Sequence, residues 1–135
     1  MLNTQSGLAG ISGTSGDMRD LLAAEASGND RARLAIDTFC YSLVKTIGAY
    51  YVALGGLDRL VFTGGIGEKG ASIRSRVLKS LTCLGIELDE ELNAAAIQQE
   101  AYISSQESSA EVWVVPTDEG QVVAEETARV LMERG

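Results

Sequence analysis

The stretch that decides the fold is Leu60-Val61-Phe62-Thr63-Gly64-Gly65-Ile66-Gly67-Glu68-Lys69-Gly70. A continuous apolar run followed by clustered glycines reads as a short buried strand, a glycine turn and the opening of a helix. Six of the 15 glycines fall between Gly55 and Gly70, so backbone freedom is concentrated here. A turn of this kind directs free N–H groups and the positive end of a helix dipole at one spot, which suits a phosphate.

Working outward, the chain alternates helices and strands. Residues Met1 to Gly16 carry four glycines among Ser and Thr and read as an irregular loop, because each Gly costs about 1 kcal/mol against Ala in a helix interior. A short helix is expected from Asp17 to about Ser27, capped by Ser15 or Gly16 and closed by Gly28. Asn29 is the expected N-cap of a long helix reaching Leu54, on which Ala32, Ile36, Phe39, Leu43, Ile47, Tyr50 and Leu54 recur at helical spacing. Cys40, Val44 and Tyr51 widen that stripe, so the helix is expected to be mostly buried or to pack against two surfaces.

Leu57 to Thr63 is expected to form a strand buried on both faces. The helix beyond the glycines carries Ile73, Val77, Leu81 and Leu84 inward, with Arg74, Arg76 and Lys79 on the remaining surface and Gly85 as C-cap. Asp89 to Gln99 reads as a further helix, Ala101 to Ser104 as a short edge strand and Ser104 to Ser109 as a polar loop. Val112 to Val115 reads as a second buried strand, stopped by Pro116 and Thr117, with a last helix from about Asp118 to Glu133. Twice in the second half, then, a strand, a turn and a helix follow one another. Ligands of open parallel sheets bind at the carboxyl ends of strands, so the turns after Phe62 and Val115 are expected to lie side by side. One offers N–H donors and the other the carboxylates Asp118 and Glu119, a combination suited to a phosphate and its Mg²⁺.

Composition narrows the function. At 135 residues the chain is one domain or a piece of a larger one, with 45% hydrophobic and 22% charged residues as in ordinary folded proteins. The formal net charge of −8 and the pI of about 4.5 argue against a nucleic-acid partner. No apolar run approaches the ~18 residues of a membrane span, and no signal peptide is evident. Cys40 and Cys83 lack CxxC spacing and read as two buried thiols in a reducing cytosol. The chain contains no histidine, which removes Ser-His-Asp and Cys-His sites and the usual zinc ligand sets.

Individual motifs carry two readings each. Gly65-Ile66-Gly67-Glu68-Lys69-Gly70 satisfies GxGxxG, with Glu87 and Asp89 near the ribose-acid spacing, but Ile86-Glu87-Leu88 is a feeble second strand and a dinucleotide site is set aside. The Walker A pattern is absent. Glu119 suits the first turn of a helix capped by Thr117 as well as it suits a metal. Arg19 reads either as a solvated charge or as a group that stacks on a ring or pairs with phosphate. Tyr41, Tyr50, Tyr51 and Trp113 read as packing residues.

Several segments taken together resemble the acetate kinases. They are Ser6-Gly7-Leu8-Ala9-Gly10-Ile11-Ser12-Gly13, Ser15-Gly16-Asp17-Met18-Arg19-Asp20, Ile47-Gly48-Ala49-Tyr50, Val61 to Glu68, Ile73-Arg74, Leu84-Gly85-Ile86 and Pro116-Thr117-Asp118-Glu119. The resemblance runs in order from about Leu2 to Val130 and implies an α/β actin-like ATPase (ribonuclease H-like) domain. Residues 1–135 would be the C-terminal part of the nucleotide-binding domain of a homodimeric, cytoplasmic enzyme. That enzyme would move phosphate between ATP and acetate with Mg²⁺, giving acetyl phosphate and ADP.

By the same resemblance, Asp17, Met18 and Arg19 fall on the adenosine-contacting segment. Gly65, Ile66, Gly67, Glu68 and Lys69 fall on the adenine and phosphate loop, and Glu119 on the magnesium-site glutamate. The family usually has Asn where Lys69 stands and a second acidic residue where Gly120 stands. Its catalytic histidines, acetate-side arginines and first phosphate loop lie upstream of this stretch, so no catalytic residue is expected here and the isolated chain is expected to be inactive. Propionate or butyrate kinase is the near alternative, and a non-catalytic nucleotide-binding or dimer-forming module the distant one.

Overall fold

The computed structural model describes residues 6–117. The helix expected from about Asp118 to Glu133, with Glu119, falls outside the described residues.

Helix α1 (Gly7–Ser12) occupies part of the expected loop. Its glycines alone would not hold a helix. Arg31 reaches across from the third helix and donates to the carbonyls of Ile11 (2.9 and 3.0 Å) and Gly10 (3.4 Å), anchoring the negative end of the α1 dipole. Helix α2 (Met18–Ala26) begins one residue later than expected, because Asp17 itself is the N-cap and accepts from the Arg19 N–H. Asn29 caps helix α3 (Asp30–Leu54) as expected, its side chain accepting from the N–H groups of Arg31 and Ala32. Gly55 ends α3 in the left-handed conformation at φ +75°.

Full burial on α3 is confined to its first half, while Leu43, Val44 and Ile47 of the expected stripe are half-buried against the core. Ala32, Ala35, Ile36 and Cys40 are buried, whereas Tyr50 is 64% and Leu54 71% exposed. Tyr41, read from sequence as packing, is likewise exposed. The physical reason is length: 25 residues run to about 38 Å, while α2 and the fifth helix, nine residues each, flank only part of it.

Strand β1 (Arg59–Phe62) is followed by α4 (Gly64–Lys69), α5 (Ala71–Lys79) and a 3₁₀ turn over Thr82–Leu84 that Gly85 closes. Helix α6 (Glu90–Ala95), capped by Asp89, leads to β2 (Ala101–Tyr102) and β3 (Glu111–Val114). The sheet order is β1-β3-β2. Strands β1 and β3 are parallel, with Arg59 opposite Glu111 and Phe62 opposite Val114, while β2 is antiparallel to β3. The fold is therefore α/β, with the expected parallel pair and one antiparallel edge.

Two sequence expectations fail at this level. Strand β1 is not buried on both faces: among the described residues it pairs only with β3, and Val61 is 49% exposed. Cys83 is exposed in the 3₁₀ turn, while Cys40 is buried as expected. The core joins α2, α3 and α5 to the sheet through Leu21, Ile36, Ile73, Val77, Val112 and Val114.

Candidate nucleotide cleft

The glycine stretch after β1 is helical from its second residue. Thr63 is still extended, and Gly64 turns the chain at φ +72°, a conformation costly for any residue with a Cβ. Gly70 is the C-cap of α4 and the N-cap of α5 at once. A Cβ there would meet the Ile66 carbonyl oxygen at 2.5 Å, so the bend between the two helices requires glycine. Where the sequence suggests an open turn, the chain makes a compact helix resting on the end of β1.

Helix α4 is held at both ends. At its start the buried Glu68 carboxylate folds back: Oε1 accepts from the Gly64 N–H (3.0 Å), the Thr117 N–H (2.8 Å) and the Thr117 hydroxyl (2.9 Å). The Thr117 donors, then Gly64, hold this carboxyl below its ordinary range. The turns after β1 and β3 are thus joined directly, as their parallel pairing predicts, and the Val115 N–H donating to the Phe62 carbonyl continues the contact.

At the other end stands Arg74, fully buried at 0% exposure. Its Nη1 donates to the carbonyls of Gly67 (2.6 Å) and Glu68 (3.2 Å) in α4. Nη2 donates to the carbonyls of Asn93 and Ala96 (2.8 Å each), and Nε to Asn93 Oδ1 (2.8 Å). All five guanidinium N–H groups are therefore matched. Among the described residues no carboxylate pairs with Arg74; the carbonyl ends of α4 and α6, each the negative pole of its helix, converge on the cation instead. The sequence places Arg74 on the outer face of α5, and this is a correction: burial without an acid in sight leaves no charge pattern to read. Desolvation lowers its pKa from the ordinary value.

Facing α4 across a cleft is the first turn of α2. Asp17 pairs with Arg19 through Nε (3.1 Å) and Nη2 (2.6 Å), and with Arg19 so placed its carboxyl falls to about 2. Met18 is buried beneath them. The cleft has a volume of about 400 Å³ and is lined by Gly16, Asp17, Met18, Arg19, Leu22, Gly65, Ile66, Lys69 and Gly70.

Six of the site residues expected from sequence, Asp17, Met18, Arg19, Gly65, Ile66 and Lys69, therefore meet around one cavity although some fifty positions separate the two segments. Gly67 and Glu68 do not line it. Gly67 lies against Phe62 beside a neighbouring apolar hollow of about 300 Å³, and Glu68 is turned to Thr117. Among the described residues no group of three or more His, Cys, Asp or Glu is arranged to hold a metal. The cleft offers apolar walls for a flat ring, an ammonium and a guanidinium at its rim, and no imidazole. That is equipment for binding and positioning.

The acetokinase family model matches residues 1–125. An acetate kinase of Dictyoglomus turgidum is 50% identical over 134 residues, which is 99% of this chain and 33% of that protein. The crystal structure of Porphyromonas gingivalis acetate kinase superposes with a TM-score of 0.85 at 42% identity, over 96% of this chain and 32% of that one. A propionate kinase structure from Francisella tularensis gives 0.79 at 39% identity, over 88% and 30%. The chain thus spans about a third of the length of the relatives it matches. With its parallel strand pair, its helical glycine stretch and its matched segments in order, the chain belongs to the acetokinase family.

Proposed function

We propose that these residues are the C-terminal part of the nucleotide-binding domain of an acetate kinase, and that the cleft between α2 and α4 holds ATP or ADP. One observation carries the reading: Asp17-Met18-Arg19 and Gly65-Ile66-Lys69 converge on one cavity of about 400 Å³, a size suited to a small ligand. Met18, Leu22 and Ile66 supply apolar surface for the base. Arg19 and Lys69 supply positive charge at the rim, where phosphates are held.

The reaction transfers the γ-phosphoryl group from ATP to a carboxylate oxygen of acetate. The bond from the γ-phosphorus to the bridging oxygen breaks, a new oxygen–phosphorus bond forms, and ADP leaves with the electron pair. Mg²⁺, when bound, neutralises charge on the phosphate oxygens, and Glu119 is the residue of this chain that would hold it. The share of this chain is positioning, which supplies much of the rate in phosphoryl transfer. The acetate site, the homodimeric assembly and the cytoplasmic setting belong to the same proposal. Among the described residues no helix is long and apolar enough to cross a membrane. The structural likeness to a propionate kinase favours that acyl substrate as the second reading.

Titration calorimetry of the chain with ADP tests the binding role. Saturable one-site binding, weakened by Arg19→Ala, is expected. A folded sample that takes up no ADP would leave a purely structural role in its place.

A further inference from the structure

We propose that Glu68 and Arg74 are positioning residues that clamp α4 from its two ends and so fix the glycine wall of the cleft. The inference rests on the nucleotide reading above. Neither residue lines the cavity. Glu68 ties the first residue of α4 to Thr117, three residues beyond the end of β3, through three hydrogen bonds to one oxygen. Arg74 ties the carbonyls of Gly67 and Glu68 to Asn93 and Ala96 at the end of α6. Asn93 in turn donates to the Ala71 carbonyl at the start of α5, so both helices that meet at Gly70 are gripped from one point.

A clamp is needed because α4 cannot stand alone. It has six residues, three of them glycine, and no side-chain cap from Thr63; isolated helices of that length are unstable. Its Gly65, Ile66 and Lys69 line the cleft, and a wall that moves by about 1 Å would lose the contacts a bound ligand makes with it. Thr117 immediately precedes Asp118-Glu119 in sequence, so the Glu68 end also ties the glycine wall to the origin of the segment that carries the magnesium-site glutamate of the family.

The test compares Glu68→Ala, Glu68→Gln and Arg74→Lys in the full chain, reading ADP affinity by calorimetry and hydrogen exchange of the residue 64–69 amides. Glu68→Ala should weaken ADP about ten-fold and speed exchange in α4 while leaving α3 protected. Glu68→Gln, which keeps an acceptor oxygen, should recover most of both. Arg74→Lys, whose single nitrogen cannot span two helix ends, should resemble Glu68→Ala. If the wild-type chain binds ADP and both Glu68→Ala and Arg74→Lys bind it equally well, the clamp is overturned. A wild-type chain that binds no ADP overturns the nucleotide reading instead. In that event unchanged α4 exchange in Glu68→Ala overturns the clamp as well, and faster exchange upholds its grip on the helix.

Discussion

Oε1 of Glu68 lies 2.8 Å from the backbone nitrogen of Thr117, forty-nine positions along the chain. A single carboxylate oxygen therefore closes the space between the ends of two parallel strands, and its charge is part of the fold.

The acid limb of stability should report that charge. In the folded chain Glu68 titrates below its ordinary value of 4.5. A depressed carboxyl adds stability that is complete above the unfolded pKa and is lost as pH falls through the folded one. Thermal melts of wild type and Glu68→Gln should therefore differ most near neutrality and converge as pH falls below the ordinary 4.5 and through the depressed folded-state pKa. A difference that widened on acidification would reverse the sign and refute the assignment.

Two neighbouring glycines should behave oppositely. Alanine at Gly70 would place its Cβ 2.5 Å from the Ile66 carbonyl oxygen, a backbone atom that cannot move aside. Gly70→Ala should cost about 1–3 kcal/mol in denaturant unfolding. Gly65 has nothing within 4 Å of an added Cβ and no positive φ, yet it lines the cleft. Gly65→Ala should melt with the wild type and bind ADP more weakly. Equal melting of the two variants would contradict this account.

The thiols should separate kinetically. Cys83 is exposed, while Cys40 is buried with its thiol pKa raised by desolvation. A thiol reagent should label one equivalent quickly in native protein and the second only on unfolding. Mass mapping should place the fast label on Cys83.

Activity should be absent even where binding is present. The chain spans a third of the length of its acetate kinase relatives, and the proposed function places the acetate site outside it. A pure sample of these 135 residues should bind ADP and make no acetyl phosphate above background in a hydroxamate assay. Turnover at an enzyme-like rate would show that the chemistry needs no more than this.

Legibility from sequence followed locality. Asn29 as N-cap and Leu54 as the last residue of α3 were readable because helix ends are set by their own few neighbours. The adjacency of the turns after Phe62 and Val115 was readable because parallel pairing dictates it. What escaped were α1 and α4, two six-residue helices rich in glycine. Propensity opposes both, and both are rescued from elsewhere in the chain by an arginine donating to their last carbonyls, Arg31 for α1 and Arg74 for α4. The same long reach hid the role of Glu68, whose partner Thr117 no local pattern could supply. At the cleft itself, the residues alone marked the glycine turn as suited to phosphate and left Arg19 open between a solvated charge and a ligand contact, and only resemblance to a family put Asp17-Met18-Arg19 and Gly65-Ile66 in one site.

The two anchors of α4 differ in their chemistry. The Glu68 anchor is a carboxylate, and it loses its charge and weakens when protonated. The Arg74 anchor binds only carbonyl oxygens, none of which titrates, and the guanidinium keeps its proton throughout the accessible range. Acid therefore weakens the hold on the first residue of the helix and leaves the hold on the carbonyls of Gly67 and Glu68 untouched, so the two ends of one short helix answer to pH differently.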